Sequence, residues 1–256
     1  MLSGFANANV KVEGSGVNYD QSQETYTARY THDTIALAFA ITEEAIEDNL
    51  YDRISSRYTK ALARSMSNAK QVKAAAPLNN GLPTADGFDS GDGVSLFNTA
   101  HTTVSGTNVK NTLTTQADLN ETSLEQALID IAAFTDERGL RVAAKGVKMI
   151  IPSANQFSAE RLLKSQGRTG TADNDINAVA SMGMVPQGYR VNNFLTDSDS
   201  WYIITDCPNG MKMFTRAPLT TAMEGDFDTG NVRYKARERY SFGVSDYRGI
   251  FGCEGA

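Results

Sequence analysis

Hydrophobic and polar positions along the chain separate into three patterns. From Thr42 to Ala76 apolar residues recur once per turn, at Ile46, Leu50, Ile54, Tyr58, Leu62 and Met66, with no Pro or Gly inside. This period predicts one amphipathic helix over 42–76, opened by Thr42 and closed by Pro77 and Gly81. Ahead of it, Thr34–Ile41 (TIALAFAI) alternates, so Ile35, Leu37, Phe39 and Ile41 form a strand face toward a core. Val10–Tyr30 reads as a long β-hairpin with a polar tip. Such a hairpin is marginal alone and needs a surface to lie on.

Further along, Ser123 with Gln126 reads as a capping box, opening a helix with Leu124, Leu128, Ile131 and Phe134 inward and Gly139 at its end. Val147–Ile151 is a buried apolar strand followed by a short helix, the order of an α/β layer. Gln166–Asn177 reads as a polar loop. The remainder is mainly β: Tyr189–Leu195, Trp201–Thr205, Met211–Thr215 and Val232–Val244. In the last, Val232, Tyr234 and Ala236 alternate with Arg233, Lys235, Arg237 and Arg239, giving one apolar and one basic face. The turn GDFDTGN before it marks a hairpin.

The long helix changes the picture through its length and charge. About 35 residues at ~1.5 Å each span ~50 Å, while a globule of this chain length is roughly 45 Å across. The expectation is a broken helix or an elongated protein. Residues three or four apart touch on a helix, and here Glu43–Glu47, Glu44–Glu47, Glu44–Asp48, Asp48–Asp52, Arg53–Arg57, Arg57–Lys60, Lys60–Arg64 and Lys70–Lys73 pair like with like. Two readings stay open: a solvated face with charges matched to the helix dipole, or charges whose partners lie on other subunits.

Composition narrows the function. The 256 residues carry 24 basic and 30 acidic side chains, net −6, which gives no general pull toward nucleic acid or anionic membrane. Two cysteines, Cys207 and Cys253, fit no disulfide framework or metal spacing. The N-terminus lacks a signal-peptide pattern, and no stretch approaches a membrane span. Asp86, Asp89 and Asp92 are three apart, unlike calcium ligands, which alternate. His101 has no nearby metal-ligating partner in sequence and reads as a hydrogen-bonded structural residue. His32 beside Asp33 carries little, since strand neighbours point to opposite faces. No GxSxG, HExxH, Walker or GxGxxG motif occurs. No cofactor, metal or catalytic residue is assigned.

A terminal hairpin, an outsized helix, a discontinuous β region and an α/β insertion together resemble tailed-phage major capsid proteins of the Hong Kong 97-type fold. ITEEAIEDNLYDRISSRYTKALARSM followed by LFNTAHTT is similar to their Mu-type head-subunit branch. The resemblance implies an α+β fold in four parts. These are an N-terminal segment and extended-loop hairpin (1–33), a peripheral domain with spine helix 42–76 (34–122), an axial domain (123–210), and a second peripheral part (211–256). It implies a non-enzymatic shell subunit in the virion, assembled in the host bacterial cytoplasm. Many copies would form hexamers and pentamers around double-stranded DNA, with portal, scaffolding and decoration proteins as further partners and no membrane. The expected interface residues are Glu24, Tyr26 and Arg29 in the hairpin. On the spine they are Glu43, Glu44, Glu47, Asp48, Asp52, Arg53, Arg57, Lys60 and Arg64. On the basic strand they are Arg233, Lys235, Arg237 and Arg239. Two rivals remain at this point: an encapsulin-like compartment for protein cargo, and a small hydrolase or binding module using His101.

Overall fold

The computed structural model describes residues 1–48, 51–82, 88–168 and 175–256, and only the backbone of 51–54. In chain order the elements are β1 (Asp33–Ile41), α1 (Glu43–Glu47), α2 (Tyr51–Asn79), β2 (His101–Thr102), β3 (Asn108–Val109), α3 (Glu121–Ala132), β4 (Gly146–Ile151), α4 (Gln156–Lys164), α5 (Ala178–Met182), β5 (Tyr189–Val191), β6 (Trp201–Thr205), β7 (Met211–Gly225), β8 (Val232–Val244) and β9 (Ile250–Cys253). They fall into two compact units. One is Tyr30–Ala75 with Met213–Gly243; the other is Met1–Arg29, Ala76–Lys212 and Val244–Ala256.

In the first unit a sheet of order β1-β8-β7 carries the spine helix on one face. β1 and β8 run antiparallel, with Leu37 opposite Ala236, Phe39 opposite Tyr234 and Ile41 opposite Val232. This register places both apolar sets on one side, as the alternation predicts. Leu62 and Met66 of α2 bury Ala236 there, with Ile35 and Phe39 packed around them. The Phe39 ring stacks on Tyr234 at 5.0 Å and meets Tyr58 edge-on at 5.5 Å. Coverage is partial, since Leu37 remains 45% exposed. The turn after β7 closes by Asp226 N–H to Asn231 O and Gly230 N–H to Asp226 O. Gly230 has φ +65°, and the Glu43 carboxylate lies where its Cβ would stand.

The spine differs from one uninterrupted helix over 42–76. Thr42 is the N-cap residue of α1 but makes no side-chain cap bond. At Asp48 ψ rises to 7°, out of the helical range, and α1 ends. Residues 49 and 50, including the expected core residue Leu50, lie outside the described residues. α2 then runs past Pro77 to Asn79. Proline has no N–H, so the Lys73 carbonyl loses its helical donor there, yet the helix continues. Lys70 and Lys73, like charges three residues apart, pair with Glu238 (2.8 Å) and Asp33 (2.6 Å) of the sheet. At Gly81 a Cβ would lie 2.5 Å from the Pro77 carbonyl oxygen and 2.9 Å from Leu96 Cβ. Gly81→Ala should therefore lower stability by about 1–3 kcal/mol, the usual cost of overpacking, measured by urea unfolding.

The second unit has a sheet of order β5-β4-β6-β9, with β5 parallel to β4 and the other pairs antiparallel. Trp201, Tyr202 and Ile203 of β6 and Met149 and Ile151 of β4 are fully buried. α3 covers them with Leu124, Ala127, Leu128 and Ile131. Its capping differs from the expectation. Asn120 is the N-cap, accepting from Ser123 N–H, while Ser123 Oγ accepts from Asn120 N–H. Asn is itself a strong cap three residues ahead of Ser123, so the helix starts earlier. It ends at Ala132, and Gly139 (φ +85°) turns the loop beyond. Leu78, Leu96, Phe97, Val109 and Leu113 share this core. Ala76–Lys212 belongs to one unit, in which these apolar side chains find cover on the sheet.

The N-terminal segment also belongs to the second unit, and it is no regular hairpin. Its ends meet at one bridge, Leu2 with Glu24, supported by Ser3 N–H to Gln23 O and Thr25 N–H to Met1 O. Asp20 closes the base, accepting from Ala6 N–H at 2.7 Å and pairing with Arg138 at 2.9 Å. Those backbone donors, from Ala6 first, with Arg138, hold its carboxyl below the usual range. Between them, residues 6–19 are exposed. The glycine-bearing, polar tip gives the two arms little reason to pair.

Candidate subunit interface

The sixteen expected interface residues divide by location. Glu24 is exposed at the bridge with Leu2, and Arg29 is exposed as well. Tyr26 is spent largely within its own unit. Its ring lies 6.3 Å from that of Tyr247 and fills the space where a Gly91 Cβ would stand. Glu43, Glu44, Glu47 and Asp48 are exposed on and after α1. Arg57, Lys60 and Arg64 are exposed along α2. Among the described residues none of these seven has an ion-pair partner. The side chains of Asp52 and Arg53 lie outside the described residues.

The basic strand follows its sequence pattern. Arg233, Lys235, Arg237 and Arg239 are exposed on β8, alternating with buried or half-buried Tyr234, Ala236, Glu238 and Tyr240. Arg233 pairs with Asp226. Lys235, Arg237 and Arg239 have no acidic partner among the described residues. The register sets them beside Ala38, Ala36 and Thr34 of β1. The other face of the same unit carries an apolar groove between β1 and α2, lined by Leu37, Phe39, Tyr58, Ala61 and Leu62. Sequence pattern assigned Leu37, Phe39, Tyr58 and Leu62 to apolar faces; it did not show that Leu37 and Tyr58, 45% and 47% exposed, would lie uncovered.

Apolar side chains also stand open on the N-terminal loop. Val10 is 95%, Val12 69%, Val17 67% and Tyr19 98% exposed. The loop's base is tied down and its crown is not. An apolar crown on a fixed stem offers surface with little reorganisation beyond the crown itself.

His101 takes the structural role expected of it. It is fully buried, Nδ1 is 2.6 Å from Asp92 Oδ2, and its ring stacks on Tyr247 at 3.9 Å. The Asn111 amide nitrogen donates to Leu96 O and Tyr247 O, so its Oδ1 faces His101 Nε2 at 3.1 Å as an acceptor. Both ring nitrogens are committed inside the protein, and none is presented to a substrate. Burial pushes Asp92 up, but the His101 hydrogen bond and charge outweigh it and hold the carboxyl below its usual range. A depressed carboxyl stabilises the fold fully above the unfolded value near 3.8 and loses that contribution as pH falls through the folded value. Stability should therefore fall with acidification below about pH 4, and Asp92→Asn should flatten this limb of the pH–Tm curve.

Arg248 organises a second buried network. It donates to Glu137 Oε1 at 2.8 Å, to Thr135 O at 2.7 Å and to Asp246 Oδ1 at 3.3 Å, and lies 4.5 Å over the Tyr247 ring. Burial works against its charge, but Asp246, Tyr247 and Glu137 keep the guanidinium protonated. Burial pushes Asp246 up despite Arg248. Burial likewise raises both cysteine thiols, the reverse of an activated nucleophile. Among the described residues no group of three or more His, Cys, Asp or Glu could hold a metal ion.

Comparison with known proteins adds the family. The phage capsid protein family matches residues 25–252. No curated protein matches the sequence. Among solved structures, one from Mycobacterium phage Patience superposes with TM-score 0.64 at 11% identity, covering 100% of this chain and 78% of that one. The capsid of an empty GTA particle gives 0.57 at 16%, covering 100% and 84%. The capsid of Myoviridae phage XM1 gives 0.54 at 14%, also covering 100% and 84%. At these identities the superpositions establish the fold, the Hong Kong 97-type α+β fold.

Proposed function

This chain belongs to the phage capsid protein family, it is a major capsid protein whose copies form the shell of a virion, and we propose that the contacts holding that shell are made by its uncovered loop and unpaired charges. The loop at 6–19 carries the proposal: four apolar side chains stand open on a stem fixed by Asp20 and Arg138. In a single copy they gain nothing from burial. Against a neighbouring copy they remove apolar area from water. Exposed Arg57, Lys60 and Arg64 on α2 add charges that find opposite partners across a subunit boundary.

In this reading the subunits associate as hexamers and pentamers around double-stranded DNA. The net charge of −6 suits a wall that does not grip the genome. Portal, scaffolding and decoration proteins join the same shell, assembly takes place in the host bacterial cytoplasm, and no step requires catalysis. The interface residues are Glu24, Arg29, the α1 acids, the α2 cations and the β8 row, with Tyr26 setting the loop's exit from its own unit.

Arg57→Glu tests the charge contribution. The variant should keep the subunit's thermal melt, because an exposed substitution changes stability by no more than about 0.5 kcal/mol. Its shell yield should fall, as counted in negative-stain images. Normal shells from Arg57→Glu would remove α2 from the interface. Nucleic acid extracted from native particles tests the genome-enclosing role; particles filled with protein cargo would replace it with a compartment.

A further inference from the structure

We infer that the bare face of the β1–β8–β7 sheet docks the acidic α1 turn of a second copy of this chain. The inference rests on the self-assembly proposed above and adds which two surfaces meet. Strand alternation puts Arg233, Lys235, Arg237 and Arg239 on the face away from α2. Asp226 already neutralises Arg233, and Glu224 lines the same cleft, so that end of the row carries little net charge. Lys235 lines that cleft too but has no ion pair among the described residues, and with Arg237 and Arg239 it forms the unpaired part of the row. Alternate residues of a strand lie about 6.8 Å apart, so the three cations stand in a straight row. Their neighbours across the ladder are Ala38, Ala36 and Thr34, whose short side chains leave a flat floor for a helix.

The matching surface is on the same chain. Glu43, Glu44, Glu47 and Asp48 put four exposed acids on one short turn, with no ion-pair partner among the described residues. Glu43 and Glu47 are four residues apart, about 6 Å along a helix axis, close to the spacing of the row. Within one copy Glu43 lies against Gly230, at the turn end of β8, five residues before Lys235 and nine before Arg239. The row therefore receives the acids of another copy. Charge distribution favours this over a polyphosphate. Tyr30–Ala75 with Met213–Gly243 holds 11 basic and 10 acidic residues, and the rest of the chain holds 13 and 20. The cations form one local row on a nearly neutral unit, not a basic surface.

Charge reversal on the full chain tests the pairing, with wild-type shells as the reference. Lys235→Glu/Arg237→Glu/Arg239→Glu and Glu43→Lys/Glu44→Lys/Glu47→Lys should each cut shell yield by at least roughly tenfold, because facing like charges oppose association. The six-fold combination should recover yield to within about threefold, since partners in contact are non-additive. Circular dichroism melts separate assembly from folding. Where a reversal fails to fold, the neutral set Lys235→Gln/Arg237→Gln/Arg239→Gln with Glu43→Gln/Glu44→Gln/Glu47→Gln should lose no more yield together than apart. A combination no better than either half overturns the docking, and so do shells of normal yield from either half. Shells that form but lose their DNA assign the row to nucleic acid instead. Absence of shells from the wild type would overturn self-assembly itself, a distinct result.

Discussion

Glu137→Ala lowers unfolding free energy by about 3–5 kcal/mol, the cost of leaving a buried charge without its partner. Arg248 is 3% exposed and Glu137 also 3%, so water cannot replace the lost carboxylate. Asp246 remains at 3.3 Å, a weaker contact than the 2.8 Å bond to Glu137. Arg248 also ties the Thr135 carbonyl to the chain's last strand region, so the loss spreads beyond one pair. Glu137→Gln keeps an acceptor for the guanidinium and should lose less. Urea unfolding of the two variants beside the wild type gives both numbers. A loss below about 1 kcal/mol for Glu137→Ala would mean that this network contributes no more than a surface pair.

Replacing residues 8–19 with a Gly/Ser segment of equal length leaves the subunit folded and abolishes shells. Every replaced side chain is exposed, while the Leu2–Glu24 bridge and the Asp20–Arg138 pair that fix the stem are kept. The subunit's melt should move by no more than about 0.5 kcal/mol of stability. The neighbour, however, loses Val10, Val12, Val17 and Tyr19, which at ~1.5–3 kcal/mol per fully buried apolar side chain is enough to dissolve a contact repeated around a shell. Sedimentation of the purified variant would show small species only. Closed particles at wild-type yield would place the subunit contacts elsewhere.

The sequence was most legible where one periodicity met one continuous partner. β8 alternates because one face meets α2 and the other meets solvent, so its basic and apolar sides could be read directly. β4 and β6 are apolar runs because both faces are covered, and they lie at the centre of the second sheet as such runs imply. Leu124, Leu128 and Ile131 of α3 were legible for the same reason. Local competition between signals was harder to read. Pro77 is a helix breaker, yet α2 runs through it to Asn79. Asn120 and Ser123 are both good caps, and the earlier one leads. The N-terminal alternation VKV promised a strand, but a strand needs a partner, and among the described residues the polar return arm offers it none.

The candidate interface was legible as residue types rather than as surfaces. The like-with-like helix charges left a solvated face and partners on other subunits both open; Lys70 and Lys73 instead pair with the sheet of their own chain, which sequence spacing could not reveal. Tyr26, expected in the hairpin at a subunit interface, sets its ring beside Tyr247 of its own unit, a contact no local pattern encodes. Asn111, which carries His101 and two backbone carbonyls, lies in a polar run with no distinguishing pattern. Its partners come from 10 to 136 residues away, separations that no local period encodes.

A subunit that completes itself against other copies forms closed icosahedral shells when purified as the full chain, visible in negative-stain electron microscopy. A field of uniform, single-subunit particles at the same concentration would show instead that the chain is complete alone.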